Sequence, residues 1–419
     1  MYTISRSQLI LLLILFLLFM IVLFPELPGL SIDNDDWKNW ALYIREHGLC
    51  NAYGSTSDYL PFYQYVLWIY GKIASDLDGI LRNYSFLRGF SFMFDLAGIW
   101  YVYLWMEKKM DLILVLFISL FNIAYTYDTF VWGQLDGMLS AMLFISLFYA
   151  FRQNTLWSAV WYLMALNLKL QAIVFLPLWG LLIINTIITT RDWKKAVLPL
   201  AVMAILQAII LIPFTTGQYG LNNVWARVIG SIDMFPVLNI GAPNFWNWVK
   251  DGYLRTTPDN VIWFSAFTYK QVGLFLFFFT SFLVLLPICI HVFRRLTNTF
   301  KHSQISKEIV WLTGALLYLV FFYFNTQMHE RYSQPAFICI AAYAFYSKDY
   351  FPYILFSIVY FLNLEFCVQN MHLHNYDIAI FSPRFLAALY TIIILYLGFK
   401  LYYIAFFVRS QKMSDTPKK

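Results

Sequence analysis

Residues 31–63 read SIDNDDWKNWALYIREHGLCNAYGSTSDYLPFY. Three acids, Asp33, Asp35 and Asp36, follow closely on an apolar run from Gln8 to Phe24, and after Asp58-Tyr59-Leu60-Pro61 the apolar character resumes. Between the acids and that return, Trp37, Trp40, Ala41 and Ile44 recur at helical spacing with Lys38, Asn39, Arg45 and Glu46 between them. That pattern predicts an amphipathic helix lying on a membrane surface, with Asn34, Asp35 or Asp36 available to cap it. A polar, acidic stretch enclosed by hydrophobic segments is where chemistry is to be sought.

The rest of the 419-residue chain fixes the class. It is 61% hydrophobic and 12% charged, where a soluble domain carries roughly 25% charged residues. The apolar runs reach the length of membrane helices, so the expectation is an all-α polytopic membrane protein. Aromatics make up 21%, part of which forms an interfacial belt. The formal charge of +6 fits an excess of cytoplasmic Lys and Arg, and no basic groove for nucleic acid is indicated. Cys50, Cys289, Cys339 and Cys367 are scattered, without the spacing of a zinc site or a disulfide framework.

Positive residues orient the chain. Arg6 places the start in the cytoplasm and residues 25–59 outside, as a long first external loop. A span at 60–77 returns to Lys72, Arg82 and Arg88, beside the silent sequon Asn83-Tyr84-Ser85. Residues 90–106 contain Asp95 and are expected to be a partial or tilted element, since an acid at bilayer centre is costly. Residues 110–126 then cross, and Trp132-Gly133-Gln134-Leu135-Asp136 faces outside. The stretch 156–188 is interrupted by Asn167-Leu168-Lys169-Leu170-Gln171, which predicts two short helices meeting at Lys169. Further spans at 137–151, 197–214, 270–292, 308–327 and 386–407, with shorter runs at 333–347 and 352–368, give about 12 in all with both termini inside, or 13 crossings if 90–106 counts. A long external loop covers 215–266, and a tail at 410–419 is expected to be disordered.

This topology collects unusual polar residues on one side: Asp33, Asp35, Asp36 and Asp58; Asp128, Gln134 and Asp136; Lys169; Asn244; and His329, Glu330 and Arg331. Acids able to act as bases stand with cations able to hold phosphate, a mixture suited to transfer from a phosphate-linked donor and equally to an anion transporter. By residue type alone the aspartates also serve as helix caps, and His329 and Arg331 as interfacial anchors. Lys169 between two apolar runs is functional by default. His372, His374 and Asp377 lack a diagnostic metal spacing.

The ordered set of motifs resembles the membrane glycosyltransferases of GT-C fold. Asp33 before Trp37-Lys38-Asn39-Trp40, then His47-Gly48-Leu49 and Asp58-Tyr59-Leu60-Pro61, is similar to their first external loop, with Leu60 in place of a proline. Gly133-Gln134-Leu135-Asp136, Lys169-Leu170-Gln171, Asn244-Phe245-Trp246 and Met328-His329-Glu330-Arg331-Tyr332 follow in the family's order. The last resembles the His-Glu-Arg motif of the dolichyl-phosphate-glucose glucosyltransferases, and related bacterial mannosyltransferase-like proteins share the pattern. The resemblance implies one GT-C domain over 1–409 and an inverting transfer of a hexose, of mannose or glucose type. The donor would be a polyprenyl phosphate carrier and the acceptor a glycan or lipid, on the external or luminal face of a bacterial inner membrane or the endoplasmic reticulum membrane.

It further implies Asp33 as general base, chosen by its spacing to Trp37, with Asp36 the alternative. Lys169, His329 and Arg331 would hold the donor phosphate. Asp58, Tyr59, Gln134, Asp136, Glu330, Asn244 and Trp246 would contact substrate. The chemistry requires no metal, although paired acids are able to bind one, so the question of a divalent ion stays open. The competing expectation is a polytopic transporter or lipid flippase, which predicts inverted repeats; none is visible. A glycan polymerase or ligase would carry an arginine-rich long loop, whereas 215–266 holds only Arg227, Lys250 and Arg255.

Overall fold

The computed structural model describes residues 5–23, 31–74, 76–231, 233–297, 305–371 and 378–408. The start of the first loop at 25–30, the His372, His374 and Asp377 group and the 410–419 tail lie outside the described residues. The chain is helical nearly throughout. Its elements are α1 (Arg6–Leu23), α2 (Ser31–His47), α3 (Pro61–Ile73), α4 (Leu77–Arg82), α5 (Leu87–Trp105), α6 (Leu112–Leu120), α7 (Ile123–Tyr127), α8 (Asp136–Phe151) and α9 (Thr155–Leu168). There follow α10 (Leu176–Thr190), α11 (Lys194–Thr215), α12 (Gly220–Gly230), α13 (Trp246–Val249), α14 (Tyr269–Leu296), α15 (Lys307–Phe324), α16 (Gln334–Ser347), α17 (Phe351–Val368) and α18 (Pro383–Tyr403). The two strands described, Ile262–Phe264 and Phe267–Thr268, form one small antiparallel hairpin before α14.

Six helices among the described residues are long and apolar enough to cross a membrane: 170–190, α11, α14, α15, α17 and 383–407. A seventh is added if Leu112–Leu120 and Ile123–Trp132, bent by 65°, form one broken span. The protein is an all-α, multi-pass membrane protein. Fewer helices meet this test than the count of about 12 expected above, for a physical reason. α3, α8, α9 and α16 have 13, 16, 14 and 14 residues, or ~20–24 Å of helix, short of the roughly 30 Å hydrocarbon core.

Burial follows composition. α8 (DGMLSAMLFISLFYAF) is hydrophobic around its circumference, and all of its residues but Tyr149 and Phe151 are buried, packed among α5, α9 and α16. α11, as apolar but peripheral, buries only Pro199 and Phe214. The stretch 90–106, expected to be a partial or tilted element, forms the 19-residue helix α5, which is not among the helices that meet the test for crossing a membrane. Asp95 is tolerated within it because Thr129 Oγ1 donates to Asp95 Oδ2 at 2.7 Å. The irregularity falls one element later, at the bend between α6 and α7. α2 also begins earlier than the apolar periodicity suggested, so Asn34, Asp35 and Asp36 lie inside the helix and are not its cap.

Asn244 and Trp246 brace the long loop against α15. Trp246 is fully buried, and its Nε1 donates to the Phe324 carbonyl at 3.0 Å. Asn244 Nδ2 donates to the Phe322 carbonyl at 3.2 Å, and its Oδ1 accepts from Asn239 Nδ2 and the Trp246 amide. Trp246→Ala is expected to lower stability by about 3–5 kcal/mol, as large-to-small core changes do. Thermal unfolding of the purified protein measures it, and an unchanged transition would show that the loop is not anchored there.

Candidate active site

The first turn of α2 sets the acids. Trp37, Trp40, Ala41 and Ile44 are buried, which fixes the helix's rotation. Trp40 Nε1 donates to Thr56 Oγ1 at 2.9 Å. Asp33 and Asp36, three residues apart, then share a face, and both line a common cavity. Asp35 points elsewhere, is largely exposed and pairs with Lys38 at 3.2 Å. Asp33 is gripped through one oxygen: Trp132 Nε1 donates to Oδ2 at 2.7 Å and Gln134 Nε2 to the same atom at 2.8 Å. Oδ1 accepts from none of the described residues.

The donors come from the irregular segment before α8. Residues 128–132 form a wide π-type turn that closes on Gly133 at φ +85°. A Cβ at Gly133 would lie 2.8 Å from Arg88 Nε, so only glycine fits both the backbone and the space. The turn presents Trp132 and Gln134 toward α2 and starts α8 at Asp136.

Four charges lie behind this surface. Lys169 has extended backbone between α9 and the 170–175 turn, the break that the sequence predicts. Its Nζ donates to both carboxylate oxygens of Asp136, at 3.0 and 2.9 Å. Arg331 Nε stands 3.3 Å from Asp136 Oδ2, and Arg331 donates to Glu330 Oε1 at 3.1 Å. Asn363 Nδ2 donates to the Glu330 carbonyl at 2.5 Å and so ties the motif to α17. Lys169, Asp136 and Glu330 are buried, and Arg331 nearly so.

The cavity has a volume of about 900 Å³. Of the residues expected at a site, Asp33, Asp36, Asp58, Tyr59, Lys169, His329, Glu330 and Arg331 line it. Gln134 and Asp136 stand behind its wall and act through Asp33, Lys169 and Arg331. Tyr59 OH donates to Gln134 Oε1 at 3.4 Å. Asn244 and Trp246, expected to bind substrate, do not line the cavity; their polar groups are consumed by the fold. Asp58 Oδ1 and Glu330 Oε2 are buried acceptors with no hydrogen-bond partner. Sequence reasoning missed Trp132, which adjoins the Gly-Gln motif, and passed over Arg227 and Arg255, which are 28 residues apart and reach the cavity only through folding.

Burial raises the pKa of Asp36, and Asp33 and Asp58 raise it further. Burial also raises Asp58, against a backbone N–H and the nearby Lys169, Arg331 and Arg227. For Glu330, burial outweighs the attraction of Arg331 and the direction is again upward. Burial works against the charge of Arg331, but Glu330 and Asp136 overcome it, so Arg331 stays protonated. His329 is held well below an ordinary histidine by burial and by Arg331, Lys169 and Arg255, and is neutral. No group of three or more His, Cys, Asp or Glu suited to a metal ion is found among the described residues. No protein-family model matches the chain, and no curated protein matches it.

Two outcomes test the charges. Lys169→Met should cost about 3–5 kcal/mol, because it breaks a buried ion pair and leaves Asp136 only the Arg331 guanidinium that it shares with Glu330; Lys169→Met with Asp136→Leu should be less destabilised than the sum of the single changes. Additive losses in thermal unfolding would show that the two do not interact. His329 binds its proton more weakly folded than unfolded. The stability linked to it is therefore full above the ordinary value of 6.5 and lost as pH falls through the lowered folded value. Acidification should destabilise the wild type more steeply than His329→Gln, whereas parallel curves would place the imidazole in water.

Proposed function

We propose that this protein is an inverting membrane glycosyltransferase of GT-C type with about 12 spans. It moves a hexose from a polyprenyl phosphate to a glycan or lipid acceptor on the external or luminal face of its membrane. The observation that supports this reading best is the state of Asp33. Its carboxylate is oriented through Oδ2 by two buried donors and presents an unengaged Oδ1 in a cavity that also holds cations. A general base needs that combination of fixed orientation and a free lone pair. The orphaned acceptors of Asp58 and Glu330 suit a ligand rich in hydroxyls, since buried acceptors demand donors.

The step balances as a single displacement. The acceptor oxygen forms a bond to the anomeric carbon as the bond from that carbon to the phosphate oxygen breaks. The bonding pair leaves with the polyprenyl phosphate, and the acceptor proton passes to Asp33 Oδ1. Attack opposite the leaving group inverts the anomeric centre. Trp132 and Gln134 hold the base, and Asp36 is its acidic neighbour on the same helical face.

One observation favours a transporter or flippase: the extended residue Lys169 between two short helices, a device used at substrate sites of transporters. The same experiment separates the readings. Membranes containing the protein, given labelled polyprenyl-phosphate hexoses, should transfer label to acceptor. Asp33→Asn should lower the rate by about 10²–10⁴-fold, as loss of a general base does. Trp132→Phe should cost about tenfold, the value of a hydrogen bond to a charge. Full activity in Asp33→Asn would remove the base assignment, and flux of intact label without transfer would establish transport.

A further inference from the structure

Five cations line the cavity: Lys169, Arg227, Arg255, Lys270 and Arg331. Three are already neutralised. Lys169 is bound to both oxygens of Asp136, Arg331 lies between Glu330 and Asp136, and Lys270 donates to Asp233 at 2.7 Å. Arg227 and Arg255 are different. Arg227 donates to the Ser55 carbonyl and Arg255 to the Ile240 carbonyl, each at 3.2 Å, and neither pairs with a carboxylate among the described residues. A guanidinium carries five N–H donors in a fork that matches phosphate oxygens, and one bond to a neutral carbonyl leaves most of that capacity open.

Their setting names the ligand. Arg227 is on α12, where Leu221, Trp225 and Ile229, at successive i,i+4 positions, are exposed apolar side chains. The other face holds Asn223 Nδ2, which donates to the Tyr53 carbonyl, and Arg227, which turns to Ser55. This is the pattern of a helix lying in a membrane interface, and α12 follows the lipid-facing α11 after only four residues. Arg227 therefore stands at headgroup level. The lining of the same cavity includes the apolar side chains Met234, Phe235, Ile173 and Val174, and Ile173 is 52% exposed. A ligand that satisfies both has an anionic head and an apolar tail.

We propose that Arg227 and Arg255, rather than Lys169 and Arg331, hold the phosphate of a phosphorylated lipid in this cavity. The inference rests on the glycosyl-transfer reading for the identity of that lipid as carrier, and it changes which residues stabilise the leaving group. A sugar phosphodiester carries one negative charge, and the released polyprenyl phosphate carries up to two. Two unneutralised guanidinium groups favour the second charge as it develops, so they bind the departing phosphate more tightly than the donor.

The test uses the full chain in lipid nanodiscs, with farnesyl phosphate, farnesol and inorganic phosphate as probes. The wild type should bind farnesyl phosphate in preference to both others. Arg227→Gln and Arg255→Gln should each weaken that binding about tenfold without altering farnesol binding. Arg227→Lys should recover part of the loss, and thermal unfolding verifies that each variant is folded. The proposal is overturned if both glutamine variants bind farnesyl phosphate as the wild type does, if farnesol binds equally well, or if inorganic phosphate alone binds as tightly. A transfer assay on the same preparations separates the two readings. Wild-type transfer with indifferent arginines rejects only this assignment. Arginine-dependent binding without transfer rejects the glycosyltransferase and keeps the phosphate site.

Discussion

The structure depends on the neutralisation of Lys169, Asp136, Arg331 and Glu330 against one another. Removing a charge from water costs several kcal/mol even after relaxation, and attraction repays it only when partners meet in good geometry. Three separate segments must therefore arrive together: the start of α8, the break after α9, and the loop between α15 and α16. The position of Asp136 in the first turn of α8 helps, since a carboxylate there faces the positive end of the helix dipole. Lys169 can supply its side chain because its own backbone is extended and leaves the helix at that point.

Once these segments are fixed, the cavity acquires its chemistry by adjacency. The turn that delivers Asp136 to the ion cluster is the same turn that aims Trp132 and Gln134 at Asp33. Gln134 bridges further, accepting from Tyr59 while donating to Asp33, so the first loop is latched to α8 at two of its own residues. Orientation of the candidate base is thereby set by atoms that are themselves buried and satisfied. Such support confers positional precision that an exposed loop lacks.

Much of this was legible in the sequence, and the failures have physical causes. The interruption at Lys169 was readable because an amide-rich, charged pentapeptide inside an apolar run has no other low-cost place. The start of α2 was misjudged because five of residues 31–36 are polar, and apolar periodicity is silent across such a turn. Asp95 suggested a partial or tilted element, since a lone acid in an apolar run gives no sign of the Thr129 hydroxyl that donates to one of its oxygens. Asn244 and Trp246 looked functional by their place in a motif order, whereas polar side chains are equally needed to close a loop's backbone bonds. Arg227 and Arg255 show no cluster in sequence and come to line one cavity only by folding.

The three aspartates of the first loop show how environment divides one residue type. Asp35 is exposed beside Lys38; Asp36 is raised by burial and by its acidic neighbours; Asp33 lines the cavity with one oxygen held by two donors from the turn before α8. The cations divide by whether a carboxylate already pairs with them. A lysine in an apolar run draws attention because its burial is costly, but that cost is what forces it to be paired, and a paired charge has little left for a ligand. Arg255, nearer to water, needs no acid to be tolerated, and Arg227 is half-buried with only a carbonyl partner. The cations of this cavity are thus told apart by whether a carboxylate already neutralises them rather than by depth in the membrane.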